Sequence, residues 1–293
     1  MGQPNPTEST TFWRDALAWR GAITPQLLPR IAFFTGLAAL AAYAHAAWQW
    51  DGPDPIHLSY TGGMLAVLLV LRTNASYDRW WEARKLWGGI VNQSRNLASK
   101  AVTYGPSGSW RGAFLHWTAT FCHATRMSLR GARDDDAPAR LLGAEDGKRL
   151  VEARHMPLFV AGRLAEQLAA ARADGSIDGF AFAELDRERA SLIDHVGACE
   201  RILRTPTPRV HTIKLRRFIL VYLTGVPLAL ATSSVWVAMA ATALISYPLL
   251  AIDRIAQELE NPFSEDRESH LPLDTICATI EGDVLDLAQS MPR

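Results

Sequence analysis

Two pairs of uncharged apolar segments, each pair flanked by basic residues on one side only, restrict this chain more than any other feature. The first segment is IAFFTGLAALAAYAHAAW, residues 31–48. At about 1.5 Å per residue it covers most of a roughly 30 Å hydrocarbon core. The second, LSYTGGMLAVLLVL (58–71), is marginal in length and needs neighbouring helices to shelter it. The third, FILVYLTGVPLALA (218–231), holds Pro227, and the fourth, VWVAMAATALISYPLLAI (235–252), holds Pro248. Only Thr232, Ser233 and Ser234 separate these two, which predicts a tight helical hairpin. Arg14, Arg20 and Arg30 precede the first segment, and Arg72, Arg79, Arg84 and Lys85 follow the second. Arg209, Lys214, Arg216 and Arg217 precede the third, and Arg254 follows the fourth. The loops 49–57 and 232–234 contain no Lys or Arg. Cytoplasmic loops of membrane proteins carry the excess of Lys and Arg. Both termini and the whole middle of the chain are therefore expected in the cytoplasm.

Composition removes other classes. Thirty basic residues balance thirty acidic ones, so the basic excess of a nucleic-acid binder is missing and no nucleic-acid partner is expected. Ten Trp suit places with one apolar and one wet side. Cys122, Cys199 and Cys277 are far apart, without CxxC or metal-ligand spacing, which fits free thiols in a reducing compartment. The stretch MGQPNPTESTTFWRD has no basic region followed by an apolar core, so no cleavable signal peptide is expected.

The middle of the chain reads as helical. RGAFLHWTATFCHATRMSLR (111–130), RLAEQLAAARADG (163–175) and FAELDRERASLIDHVGACERILR (182–204) have helical apolar spacing. GARDDDAPAR (131–140) reads as a loop, and TPTP (205–208) breaks the chain before the third segment. The tail ENPFSEDRESHLPLD leads into a helical TICATIEGDVLDLAQS. No strand pattern is persuasive. The fold class is all-α, with four transmembrane helices and a large cytosolic helical region.

Enzymatic chemistry finds no foothold. GxSxG, HExxH, P-loop and GxGxxG are all missing. Asp134, Asp135 and Asp136 read as a solvated loop tip. His116 and His123 share a helix face but lie about two turns apart, too far for one metal. No catalytic residue, metal or cofactor is expected.

The second segment runs without Gly or Pro into RTNASYDRWWEARKLW (72–87). Gly63, Val67 and Leu71 are spaced i, i+4, i+8 on one face, with Gly62, Ala66 and Val70 one step round. Small residues at this spacing serve a helix–helix seam, or rings of small apolar side chains when copies surround an axis. Spacing leaves both open. Asn74, Tyr77, Trp81 and Arg84 continue roughly as a stripe. Arg79, Glu82 and Arg84 are expected to pair with acids near Asp253 and Glu258.

RTNASYDRWWEARKLWGGIVNQSRNLA (72–98), with its Arg79-Trp80-Trp81 core, resembles the signature of bacterial bestrophin homologues. ENPFSEDRESHLPLDTICATIE (260–281) resembles the family's second signature, and ACERILRTPTPRVHTIKLRR (198–217) is similar to the bacterial pattern between them. The likeness runs from about residue 12 to 288, in matching order.

The resemblance implies a homopentameric ion channel around one axial pore, in the bacterial inner membrane, with membrane lipid and monovalent ions as partners. It implies an N-terminal cytosolic segment (1–30), a first transmembrane hairpin whose second helix lines the pore (31–72), a cytosolic helical region (73–216), a second hairpin (217–252) and a cytosolic tail (253–293). It places an apolar neck at Gly63, Val67 and Leu71, where Gly63 departs from the bulkier residue usual in the family. A second, cytosolic aperture falls on Phe180, or on Ile177 or Phe182 if a small insertion shifts the count. Arg79, Trp80 and Trp81 become a structural collar. Animal members conduct chloride and open on Ca²⁺ held after the second signature. Here Asp266 matches one ligand, but Arg267 interrupts the acids and Ser269 replaces a carboxylate, so weak or no Ca²⁺ binding is expected. Apolar rings carry no sign. Asp51 and Asp54 in the outer loop would favour cations, and the alternative is a scaffold of the same fold without conduction.

Overall fold

The computed structural model describes residues 23–50, 52–134, 136–266 and 269–290. Among the described residues there are ten α-helices and no strand: α1 Thr24–Trp48, α2 Pro55–Tyr104, α3 Ser109–Arg130, α4 Asp136–Leu142, α5 Ala144–Glu152, α6 Met156–Ala173, α7 Gly179–Arg204, α8 Arg209–Ala229, α9 Val235–Glu260 and α10 Leu273–Ser290. They fall into two compact units, divided at Ser76/Tyr77, Pro206/Thr207 and Gln257/Glu258. Arg14, Arg20, Asp51, Asp135, Arg267 and Glu268, and with them most of the 1–30 segment, lie outside the described residues.

The first unit holds α1, the beginning of α2, α8 and most of α9. Its core is Leu27 and Phe34 from α1, Leu65 and Leu69 from α2, Leu215, Ile219 and Leu223 from α8, and Leu250 from α9. Among the described residues three helices are long and apolar enough to cross a membrane: α1, α2 from Ile56 onward, and α9. The α8 helix falls short by this measure. Arg209, Lys214, Arg216 and Arg217 occupy its start and leave only residues 218–229 without charge. Pro29, Pro227 and Pro248 all sit inside helices. The α1–α2 loop closes tightly. A Cβ on Gly52 would lie 1.8 Å from the Leu228 carbonyl oxygen, so only glycine fits there.

The second unit is organised around α3, which packs against α4, α6, α7 and α10. Its buried face runs nearly all the way round, including Phe114, Leu115, Trp117, Phe121, Cys122 and Met127. The buried threonines keep their hydroxyls satisfied by donating to carbonyls one turn back: Thr118 to Phe114 at 2.9 Å, Thr120 to His116 at 2.8 Å and Thr125 to Phe121 at 2.9 Å. The later part of α2 is tied into this unit by charge. Lys100 donates at 2.7 Å to both Glu184 and Glu188 of α7, and Arg95 bonds Asp283 of α10.

One local expectation fails. The segment 131–140 is not loop throughout, because α4 begins at Asp136. Gly131 ends α3 at φ 67°, and its N–H donates to the Ser128 carbonyl. The Asp134 carboxylate then accepts the Asp136 N–H at 3.0 Å, and Pro138 falls in the first turn, where its missing N–H costs nothing.

Candidate functional site

Among the described residues, one arc of α2 is buried by its own chain and the other is exposed. Leu65, Leu69, Arg72 and Ser76 are buried. Val67 and Leu71 are each 59% exposed, with Tyr60, Met64 and Val70 also open. At roughly 100° per residue, Gly63 and Leu71 lie about 40° to either side of Val67, in the middle of the open arc. The two stripes left open by spacing differ at their first positions. A Cβ on Gly62 would come within 2.5 Å of the Tyr222 hydroxyl on α8, so Gly62 belongs to a helix seam. A Cβ on Gly63 would meet nothing within 4 Å. Tyr222 was not singled out by sequence reasoning, because nothing local to Gly62 names its partner. A contiguous open stripe of this apolarity is an interaction surface or a lining.

Where the apolar face gives way to charge, Arg72 is held by a buried ion pair with Asp253 of α9, and Arg216 of α8 approaches the same carboxylate at 3.3 Å. This corrects the expected pairing of Arg79 with that acid. The Arg79 guanidinium instead donates to two carbonyls at the end of α7, Ile202 at 2.6 Å and Thr205 at 2.8 Å. These are the acceptors a helix C-terminus leaves without intrahelical donors, and they carry the negative end of its dipole. Glu82 likewise pairs with Arg201 of α7, not with an acid-bearing helix end. Trp80 donates its indole N–H to the Ser269 carbonyl at 2.8 Å and stacks on Tyr77 and Trp81. Trp81 remains 46% exposed. So Arg79 anchors α7, Trp80 anchors the second-signature loop, and Trp81 extends the aromatic stack.

The second-signature loop is built around buried Phe263 and Leu271. The Asn261 side chain accepts the Phe263 N–H at 3.2 Å, and the Leu271 N–H donates to the Pro262 carbonyl at 2.7 Å. Asp266 accepts from the Ser264 hydroxyl at 3.4 Å. The neighbouring acids are held by α3. Arg130 bonds Glu265, reaches Asp274 at 2.7 Å and donates to the Phe263 carbonyl at 3.2 Å. Arg126 bonds Asp274 and approaches Asp134 at 3.5 Å. Asp274 is held below the usual carboxylate range by these two guanidinium groups, against the opposing effect of its burial. These residues line a cavity of about 710 Å³. Among the described residues no three of His, Cys, Asp and Glu are grouped as a metal would need. Arg126 and Arg130 were not singled out from sequence, although their i, i+4 spacing puts them on one face.

At the start of α7 the three aperture candidates separate. Ile177 is 2% exposed within the core, and Phe182 packs partly against it. Phe180 is 87% exposed in the first turn of α7, just after Asp178, whose carboxylate caps the Ala181 N–H at 2.7 Å. The histidine pair does not meet. His123 bonds Glu281 of α10 at 2.9 Å, and Arg140 of α4 holds the other side of that carboxylate.

The sequence model of a family described as bacterial/fungal bestrophin protein matches residues 5–286. The chain is similar to a voltage-dependent anion channel-forming protein of Ralstonia nicotianae, at 33% identity over 94% of this chain and 92% of that one. A protein of the same description from Synechocystis is 30% identical over 98% of this chain and 95% of its own. Among solved structures, a bacterial bestrophin homologue from Klebsiella pneumoniae superposes with a TM-score of 0.83, covering 91% of this chain and 100% of that chain at 24% identity.

Proposed function

The chain belongs to the bacterial and fungal bestrophin family, and on that premise we propose that it is a homopentameric channel passing monovalent anions across the bacterial plasma membrane. Its relatives are named as anion channel-forming proteins. The observation that carries the reading is the open apolar arc of α2 around Val67. Among the described residues of a single chain this arc stays more than half exposed at Val67 and Leu71. With five copies about an axis, Val67 and Leu71 would form successive apolar rings, while Gly63 would leave its level wide. Apolar rings gate by size and by dewetting and do not choose the sign of the ion. Phe180 would form a separate ring in the cytosolic region. Four segments would cross the membrane, with α8 using its short apolar part beside α1 and with both termini in the cytoplasm.

Selectivity is tested by reversal potential. Purified protein in a planar bilayer under a potassium chloride gradient should reverse near the chloride equilibrium potential. Reversal near the potassium potential would make it a cation channel. Absence of current in the wild type and in Leu71→Ala would leave the scaffold reading.

A further inference from the structure

The first unit contains a groove of about 510 Å³ in which the charged ends of three apolar segments converge. Arg30 lies immediately before the first segment, Arg216 just before the third, and Asp253 and Gln257 just after the fourth. The rest of its lining is apolar, with Phe33 and Phe34 of α1 and Leu220 of α8 along its length. We propose that this groove binds an anionic phospholipid of the cytoplasmic leaflet, its phosphate on Arg30 and Arg216 and an acyl chain along Phe33 and Leu220.

Charge and placement argue for that occupant. Asp253 is already neutralised by buried Arg72, so Arg216, at 3.3 Å, adds a guanidinium that the carboxylate does not cancel. Arg30 is exposed and supplies another. Two surplus positive charges at the mouth of an apolar groove fit a ligand with an anionic head and a hydrocarbon tail. Free phosphate would leave Phe33 and Leu220 uncovered. A zwitterionic lipid would bring its own cation against the guanidinium pair. Basic residues at the cytoplasmic surface attract anionic lipid in general. Here two of them, from different helices, line one groove. The inference rests on α1, α8 and α9 spanning a membrane, and it needs no conduction.

Cys122, Cys199 and Cys277 are buried, so a single introduced cysteine can be labelled selectively. A bimane fluorophore at Leu220→Cys reads contact with brominated acyl chains when the full-length protein is placed in phosphatidylcholine vesicles. Brominated phosphatidylglycerol should quench it at lower mole fraction than brominated phosphatidylcholine. From the general attraction of basic residues to anionic lipid, the preference should be about fivefold per guanidinium. Arg30→Gln with Arg216→Gln should abolish the preference, and Lys at both positions should retain part of it. Added inorganic phosphate should not displace the lipid. Equal quenching by both lipids, a preference that survives the double Gln variant, displacement by phosphate, or no quenching because residues 1–22 or another copy fill the groove would each overturn the assignment. Leu40→Cys, on the exposed side of α1, serves as the control. If neither lipid quenches it, the membrane reading itself fails. If both do and Leu220→Cys shows no preference, only the lipid site fails.

Discussion

His123 illustrates how one buried side chain sets an acid limit on the second unit. Its Nε2 lies 2.9 Å from Glu281, while its Nδ1 is buried without a hydrogen-bond partner. A neutral ring with the proton on Nε2 satisfies this geometry, because a proton on Nδ1 would be a buried donor with nothing to accept it. Burial lowers the His123 pKa below its ordinary value near 6.5. The Glu281 carboxylate opposes that effect, and Arg126 and Arg140 add to it. Glu281 is itself held low, chiefly by its bond to Arg140. The unfolded histidine takes up a proton as pH falls through about 6.5, whereas the native one resists. The unfolded state therefore binds more protons, and stability falls from that pH downward. Glu281 adds a second loss at lower pH, as its own native pKa is crossed. Thermal melting should drop between about pH 7.5 and pH 5.5, and the drop should shrink in His123→Asn. An unchanged melting temperature over that range would contradict this account. His123 was legible in the sequence as an ionisable group on a helix face. Its partner was not, because Glu281 is brought up by α10 from the far end of the chain.

At the scale of elements, helix identity was legible from apolar period, and the joints between helices were not. The break at 205–208 was read correctly from Thr-Pro-Thr-Pro, with α7 ending at Arg204 and α8 starting at Arg209. The start of α4 was misread because Asp and Pro serve both loops and helix N-termini, and only position relative to the first turn decides. Arg79 was expected to find an acid, yet it caps the carbonyls of α7, acceptors with no signature of their own in sequence. The second-signature loop carries a similar lesson. Glu265 and Asp274 are engaged by guanidinium groups from α3, and Arg130 is only 8% exposed among them. Removing it takes the guanidinium partner from Glu265 and from the Phe263 carbonyl and leaves Asp274 with Arg126 alone. Arg130→Gln should cost about 2 kcal/mol, allowing for the partial exposure of both acids. A chelator of divalent cations should leave melting temperature and conductance unchanged. A chelator-dependent loss in the wild type, or an Arg130→Gln variant as stable as the parent, would refute the guanidinium clasp.

At the scale of the whole molecule, the flanking charges and the all-helical class were legible in the sequence because both follow from local pattern. The working face of α2 was not, since Gly62/Ala66/Val70 and Gly63/Val67/Leu71 have the same spacing. Contact with Tyr222 at Gly62 and open space at Gly63 distinguish the two stripes at their first positions. The central claim is that the open arc around Val67 lines the path of the ion. Buried native thiols again leave a clean background, since burial pushes Cys199 up to about 12 and raises Cys122 well above its ordinary value. The most direct test is the current through bilayers holding Val67→Cys or Leu71→Cys before and after a water-soluble charged thiol reagent. The account predicts that modification at either position changes the current sharply, while the same treatment of Leu40→Cys leaves it as it was. Currents indifferent to modification at both Val67 and Leu71, or altered equally at Leu40, would contradict it.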